Sequence, residues 1–287
     1  MPPKRERRVT LRAQWLGRML RQLREQNNLT LKDAAEYLQK DLSSVSRFEL
    51  GTFPVRRGDL LALMDLYGVD DKSQRETMLN LCGEVWQTGW WDKYSGDDVW
   101  GSTIDLVWLE SRAETIRMFT ALVVPGLLQT RAYAHALISM VDGGVGAEQV
   151  ERWVGLRMDR QKILDGENIQ GYEVLFDEAA LRRPVGGSGV MLKQLRHLRE
   201  MAEAGTVNIR VLPFDIGAHP SPEGGFTLLD LGAPFSTVAH IESRGGGIYL
   251  ERGDVDKLVD VYDRLRDMSL TPEDSAAFIA ALERNHQ

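Results

Sequence analysis

The sequence predicts a mainly α N-terminal unit of about five helices, followed by an α+β unit with a mixed sheet. Two observations carry this reading. Up to Trp86 the apolar residues keep a helical spacing, whereas from Thr103 onward helices alternate with short strand-like runs in the order α, β, α, β, α, β-β-β, α. The length of 287 residues also suits two domains of roughly 100–200 residues each. The boundaries read as a basic flexible leader over 1–11, a helical domain over 12–86, an aromatic-rich junction over 87–102 and an α+β domain over 103–287.

The leader carries Lys4, Arg5, Arg7 and Arg8, a tail that suits either solvent or the phosphates and minor groove of a nucleic acid. From Arg12 to Gln26, Trp15, Leu16, Met19, Leu20 and Leu23 form an apolar stripe, with Arg12, Arg18, Arg21 and Arg24 around it. Asn27-Asn28 breaks this helix. The stretch from Leu29 to Gly51 then reads as two short helices and a tight link. Thr30 caps the first, with Asp33 in its opening turn, where a negative charge suits the helix dipole. Asp41 caps the second, which buries Val45 and Phe48 and displays Ser43, Ser44, Ser46 and Arg47. Gly51 ends it. Short uncharged donors beside one arginine suit the major groove of DNA. Pro54 separates this stretch from a helix over Asp59 to Tyr67, and Asp71 opens another that runs to Trp86. Cys82 lies among that helix's apolar residues and is expected to pack.

The ending Ser46-Arg47-Phe48-Glu49-Leu50-Gly51, after Leu29-Thr30 and Ala34-Ala35, resembles the helix-turn-helix of Xre and Cro-repressor-type regulators. Two positions depart from that pattern: Leu31 stands where a phosphate-touching glutamine is usual, and Gln39 where the turn favours glycine. The resemblance implies a sequence-specific DNA-binding transcriptional regulator whose recognition helix spans about 42–50. Leu42, Ser43, Ser44, Ser46 and Arg47 then face DNA, and Thr30, Lys32, Arg56 and Arg57 are the phosphate candidates. Leu42 suits a thymine methyl. Arg47 is suited to a guanine edge, or else to Glu49 or a phosphate. One such motif reads only a few base pairs, so a homodimer on double-stranded DNA is expected.

The junction contains Trp90, Trp91, Tyr94 and Trp100, which serve either to dock one domain on the other or to cage a ligand. Beyond it the expected elements are a helix over Thr103 to Ala113 and a strand over Glu114 to Thr120. A Pro125-Gly126 turn leads to a helix capped by Thr130, and a charge-laced, solvated helix runs from Ala147 to Asp165. A strand over Gly171 to Phe176 and a helical turn over Glu178 to Arg182 precede a flexible Gly186-Gly187-Ser188-Gly189 loop and a helix over Met191 to Ala204. Strands follow over Val207 to Leu212, Phe226 to Leu231, Thr237 to Ile241 and Gly247 to Leu250. Asp254 to Met268 and Thr271 to Arg284 are the closing helices, the last with Thr271 as cap and Pro272 in its first turn.

This part resembles the domain of unknown function that follows an Xre-type helix-turn-helix in many actinomycete regulators. The carrying residues are Pro125-Gly126-Leu127-Leu128-Gln129-Thr130, Gln194-Leu195, Val211-Leu212-Pro213-Phe214, Gly225-Phe226-Thr227 and Thr271-Pro272-Glu273-Asp274-Ser275. His240 stands where an aromatic residue is more usual. The resemblance implies a regulatory or dimerising role. It also implies one alternative, antitoxin-like binding of a small companion protein encoded nearby; sensing of a small molecule by this domain, with the tryptophan-rich junction transmitting the signal, is a further alternative.

Charge agrees with DNA as a partner. Residues 1–70 hold 13 Lys or Arg against 9 Asp or Glu, a balance of +4, so the remainder of the net −7 is −11. A basic end on an acidic body orients on a polyanion. No apolar run reaches the ~20 residues of a membrane span. With one cysteine and no secretory pattern the expected location is cytoplasmic. The histidines show no zinc-binding spacing and no nucleophile elbow is present, so no metal, cofactor or catalytic residue is expected. His219, His240, Glu242 and Ser221 are the nearest approach to a catalytic set.

Overall fold

A computed structural model describes residues 9–86, 101–141, 144, 146–166, 169–232, 235–243 and 246–285. The leader up to Arg8 and the junction residues Trp90, Trp91, Tyr94 and Trp100 lie outside the described residues. The chain forms two compact units, 1–93 and 94–287.

The first unit contains α1 (Leu11–Gln26), α2 (Leu31–Leu38), α3 (Leu42–Glu49), α4 (Arg57–Leu66) and α5 (Lys72–Trp86). Leu16, Leu20, Ala34, Val45, Phe48, Leu60, Leu63, Met64, Met78 and Leu81 make its core. Cys82 is buried there and its thiol donates to the Val55 carbonyl at 3.3 Å. Burial raises the thiol's pKa, so it packs as a small apolar group. The α1–α3 crossing is close. A Cβ on Gly17 would stand 2.5 Å from the Glu49 carbonyl oxygen, and one on Gly51 would stand 2.7 Å from the Ala13 carbonyl carbon. Gly51 also has φ +68°, the left-handed region that glycine enters without penalty.

In the second unit α6 (Gly101–Glu110), β1 (Thr115–Thr120), α7 (Arg131–Val141), α8 (Ala147–Gln161), β2 (Gly171–Asp177), α9 (Glu178–Arg182), α10 (Ser188–Glu203) and β3 (Asn208–Leu212) alternate. Then β4 (Phe226–Asp230), β5 (Val238–Ile241) and β6 (Ile248–Glu251) precede α11 (Gly253–Met268) and α12 (Pro272–Asn285). The sheet order is β3-β2-β1-β4-β5-β6. Strand β1 pairs parallel with β2, and β2 with β3. The remaining neighbours are antiparallel, so the sheet is mixed.

Strand alternation sorts the side chains. Phe119, Leu175, Leu212, Phe226, Leu228 and Ala239 point to one face and pack against Val255, Tyr262 and Leu265 of α11. By the same register Ile116, Tyr172, Val174, Val211, Leu229 and His240 point to the other face. The outer edge of β3 is covered: Leu270 N–H donates to the Val211 carbonyl, and Val211 N–H donates to Ser275 Oγ.

Three glutamines hold the segment before α7. Gln194 of α10 accepts from Thr130 N–H and donates to the Leu128 carbonyl, both at 2.7 Å. Gln161 of α8 donates to the Gly126 and Gln129 carbonyls, and Gln129 donates to the Val124 carbonyl at 2.6 Å. The irregular backbone is thus buried without leaving these groups unpaired.

Four expectations are corrected. Asp41 occupies the N-cap of α3 but its side chain makes no cap bond. Helix α4 begins at Arg57, two residues earlier than expected. The glycine run is not a loose loop: Gly186, at φ +74°, lies against Ala136 and Val190, and α10 begins at Ser188. The charge-laced face of α8 is not wholly solvated, because Arg160 is buried against Glu110, 50 residues away. Charge alternation along one helix does not reveal a partner so distant in sequence.

Candidate nucleic-acid interface

Helix α2 begins with a complete capping box. Asp33 N–H donates to Thr30 Oγ1 at 3.2 Å, and the Asp33 carboxylate accepts from Thr30 N–H at 2.7 Å. Those bonds from Thr30 hold the Asp33 carboxyl below its ordinary pKa. The helix ends at Gln39, in the left-handed region at φ 53°. The usual glycine explains itself here: Gln39 adopts the glycine-like backbone and keeps the turn.

Helix α3 divides by face. Val45, Phe48 and Glu49 are buried, while Leu42 is 50% exposed. Ser43 and Arg47 are exposed, and Ser44 and Ser46 are half-buried. The five predicted DNA-facing residues therefore all retain accessible surface. Arg47 is folded along its own helix. Its Nε donates to the Ser43 carbonyl at 3.2 Å, its Nη2 to Ser44 Oγ at 3.4 Å, and its guanidinium lies 5.5 Å from the Phe53 ring centre. None of these contacts neutralises its charge, and the long exposed side chain is able to extend.

Glu49 is not available to Arg47. Its carboxylate receives Arg24 Nε at 2.6 Å and Nη2 at 2.9 Å, while Arg24 Nη1 donates to the Leu29 carbonyl at 2.8 Å. This buried fork fixes the last turn of α3 on α1. Sequence reasoning set Arg24 among the residues around the stripe; the surviving signal is its place one helical turn beyond Leu20.

The predicted phosphate candidates are all exposed. Thr30 opens α2, and Lys32 forms a surface ion pair with Glu36 at 3.6 Å. Arg56 is the N-cap residue of α4 and Arg57 its first residue. Lys40 pairs with Asp59 at 3.4 Å, joining the α2–α3 turn to α4. Exposed Tyr37 and Phe53 border this region and were not singled out from the sequence.

The histidine set does not assemble. His219 packs edge-on to Phe119, on the α11 face of the sheet, with Nε2 3.8 Å from Asp177. His240 lies on the opposite face, 5.0 Å from the Tyr249 ring. Ser221 Oγ donates to the Gly224 carbonyl, so no histidine takes its proton. Burial, aided by the charge of Arg160, pushes the His240 pKa down to about 4.

A family model described as a helix-turn-helix domain matches residues 15–78, from within α1 to within α5. That defines the class to which the N-terminal unit points: DNA-binding regulators. A second model, Domain of unknown function (DUF5753), matches residues 103–281, which is more than half of the chain, and the chain belongs to that family. A comparison with curated proteins found no match. Among the described residues no helix is long and apolar enough to cross a membrane.

Proposed function

We propose that this chain is a sequence-specific transcriptional regulator of the Xre and Cro-repressor type. It binds double-stranded DNA as a homodimer through α3, and its C-terminal domain serves regulation or dimerisation. The observation that carries the reading is the division of α3. Val45, Phe48 and the Arg24-bound Glu49 anchor one side, leaving Leu42, Ser43, Ser44, Ser46 and Arg47 accessible on a rigid support. Hydroxyls and a guanidinium are donors and acceptors suited to base edges, and Thr30, Lys32, Arg56 and Arg57 suit the flanking phosphates. Domain limits of 12–86 and 103–287 belong to the same reading.

Arg47→Ala tests it. If Arg47 reads a guanine, the substitution costs about 1–3 kcal/mol on the preferred sequence and relaxes selection at one position. Lys32→Ala instead weakens all sequences alike and lowers the salt dependence. An Arg47→Ala loss that is uniform over all sequences would move Arg47 to the DNA backbone.

A further inference from the structure

The inward stripe of α8 contains Val150, Val154, Arg157 and Gln161, spaced as one helix face. Two arginines enter the interior from this helix, and they are treated differently. Arg160 is neutralised by Glu110, with Nε and Nη2 at 3.0 and 2.6 Å from the carboxylate. Arg157 donates through Nη1 to Gln129 Oε1 at 2.9 Å, a neutral acceptor. No described carboxylate comes within 4.0 Å of the Arg157 guanidinium. Glu242, exposed after β5, and Glu110, already engaged by Arg160, are the acidic groups within its electrostatic reach.

Solvent touches part of Arg157, yet its charge sits among enough protein for desolvation, with repulsion from Arg160, to lower its pKa to about 10. Both facts describe a half-buried arginine whose charge is incompletely compensated. The neighbourhood also has more donors than acceptors. Tyr133 Oη accepts from Val124 N–H at 3.1 Å, and no described acceptor takes its hydroxyl proton. Trp153 Nε1, one turn before Arg157 on α8, is buried without a partner. A carboxylate is an acceptor only, and it matches the planar fork of a guanidinium.

We propose that Arg157, held in place by Gln129, binds the carboxylate of a small organic acid. One charge suits the site better than the two of phosphate, because Arg160 is occupied by Glu110 and Glu242 stands nearby. The site lies wholly within the second unit and does not depend on the DNA-binding reading.

The test is calorimetric melting of the full chain with sodium benzoate, benzamide, sodium phosphate or sodium chloride at matched ionic strength. Benzoate is expected to raise the transition, with benzamide and chloride leaving it in place and phosphate acting more weakly. Arg157→Gln is expected to weaken the benzoate response by roughly tenfold or more. Arg157→Lys keeps the charge and retains a reduced response. An unmoved transition in benzoate overturns the proposal, as does an equal shift with benzamide, which needs no variant to fold.

Discussion

Replacing Glu49 by alanine strips Arg24 of its buried carboxylate and leaves its guanidinium with the Leu29 carbonyl and the exposed Glu25 carboxylate, 3.6 Å away. The Arg24 and Glu49 side chains are 10% and 6% exposed, so water does little to compensate. Two charge-assisted hydrogen bonds are lost, at about 1.5–3 kcal/mol each. Breaking a buried pair from one side costs about 3–5 kcal/mol, and the two figures agree. Arg24→Met/Glu49→Leu removes both charges and keeps apolar volume, so it is expected to recover most of that loss, to within about 1 kcal/mol of the natural chain. A two-unit chain need not unfold in one step, so the fitting assay is native-state hydrogen exchange read at the amides of α1 and α3. The reasoning fails if Glu49→Ala costs less than about 1 kcal/mol, or if the double variant costs the sum of the two single ones.

Other positions give equally definite outcomes. His240 has a folded pKa of about 4 against an ordinary 6.5, so its contribution is complete above about pH 6.5 and is lost as the pH falls toward 4. Over that window it accounts for about 1.4 kcal/mol per pH unit; His240→Phe should remove this slope in melts from about pH 4.5 to 7.5, and parallel curves would contradict it. Gln39→Gly should raise the stability of the first unit by up to about 1 kcal/mol, whereas Gln39→Val should lower it, because a β-branched residue resists φ 53°. Urea titration followed at α2 amides separates those signs. Gln194→Leu strands Thr130 N–H and the Leu128 carbonyl in a buried setting. A loss of about 2–4 kcal/mol should appear in exchange of the residues near 130, and a change under about 0.5 kcal/mol would show that the segment does not need this brace.

Local chemistry was legible in the sequence where the partners are close in the chain. Thr30 was readable as a cap, although the return bond from its N–H to Asp33 was not; Thr271 accepts from Asp274 N–H as expected of a cap, and Gly51 turns where its residue type allows. The α+β class followed from alternating elements. Sheet order did not, because β4 enters beside β1 from more than 100 residues away, and no local pattern encodes that neighbour. The exposed face of α3 was readable because exposure follows from the spacing of Val45 and Phe48. The support beneath it was not. Arg24, Arg157 and Arg160 read as surface charges, and only the fold brings Glu49 and Glu110 to two of them. The helical period did hold a clue, since Val150, Val154, Arg157 and Gln161 share one face, but an arginine on an apolar stripe is equally able to extend to solvent.

The central claim is that α3 reads DNA sequence. Selection of sheared genomic fragments at near-physiological salt, with the full chain beside Ser43→Ala/Arg47→Ala, tests it most directly. A short, two-fold repeated motif is expected to be enriched by the natural chain and lost with the variant. The same motif enriched equally by both would contradict it, since the reading would then lie elsewhere than in α3.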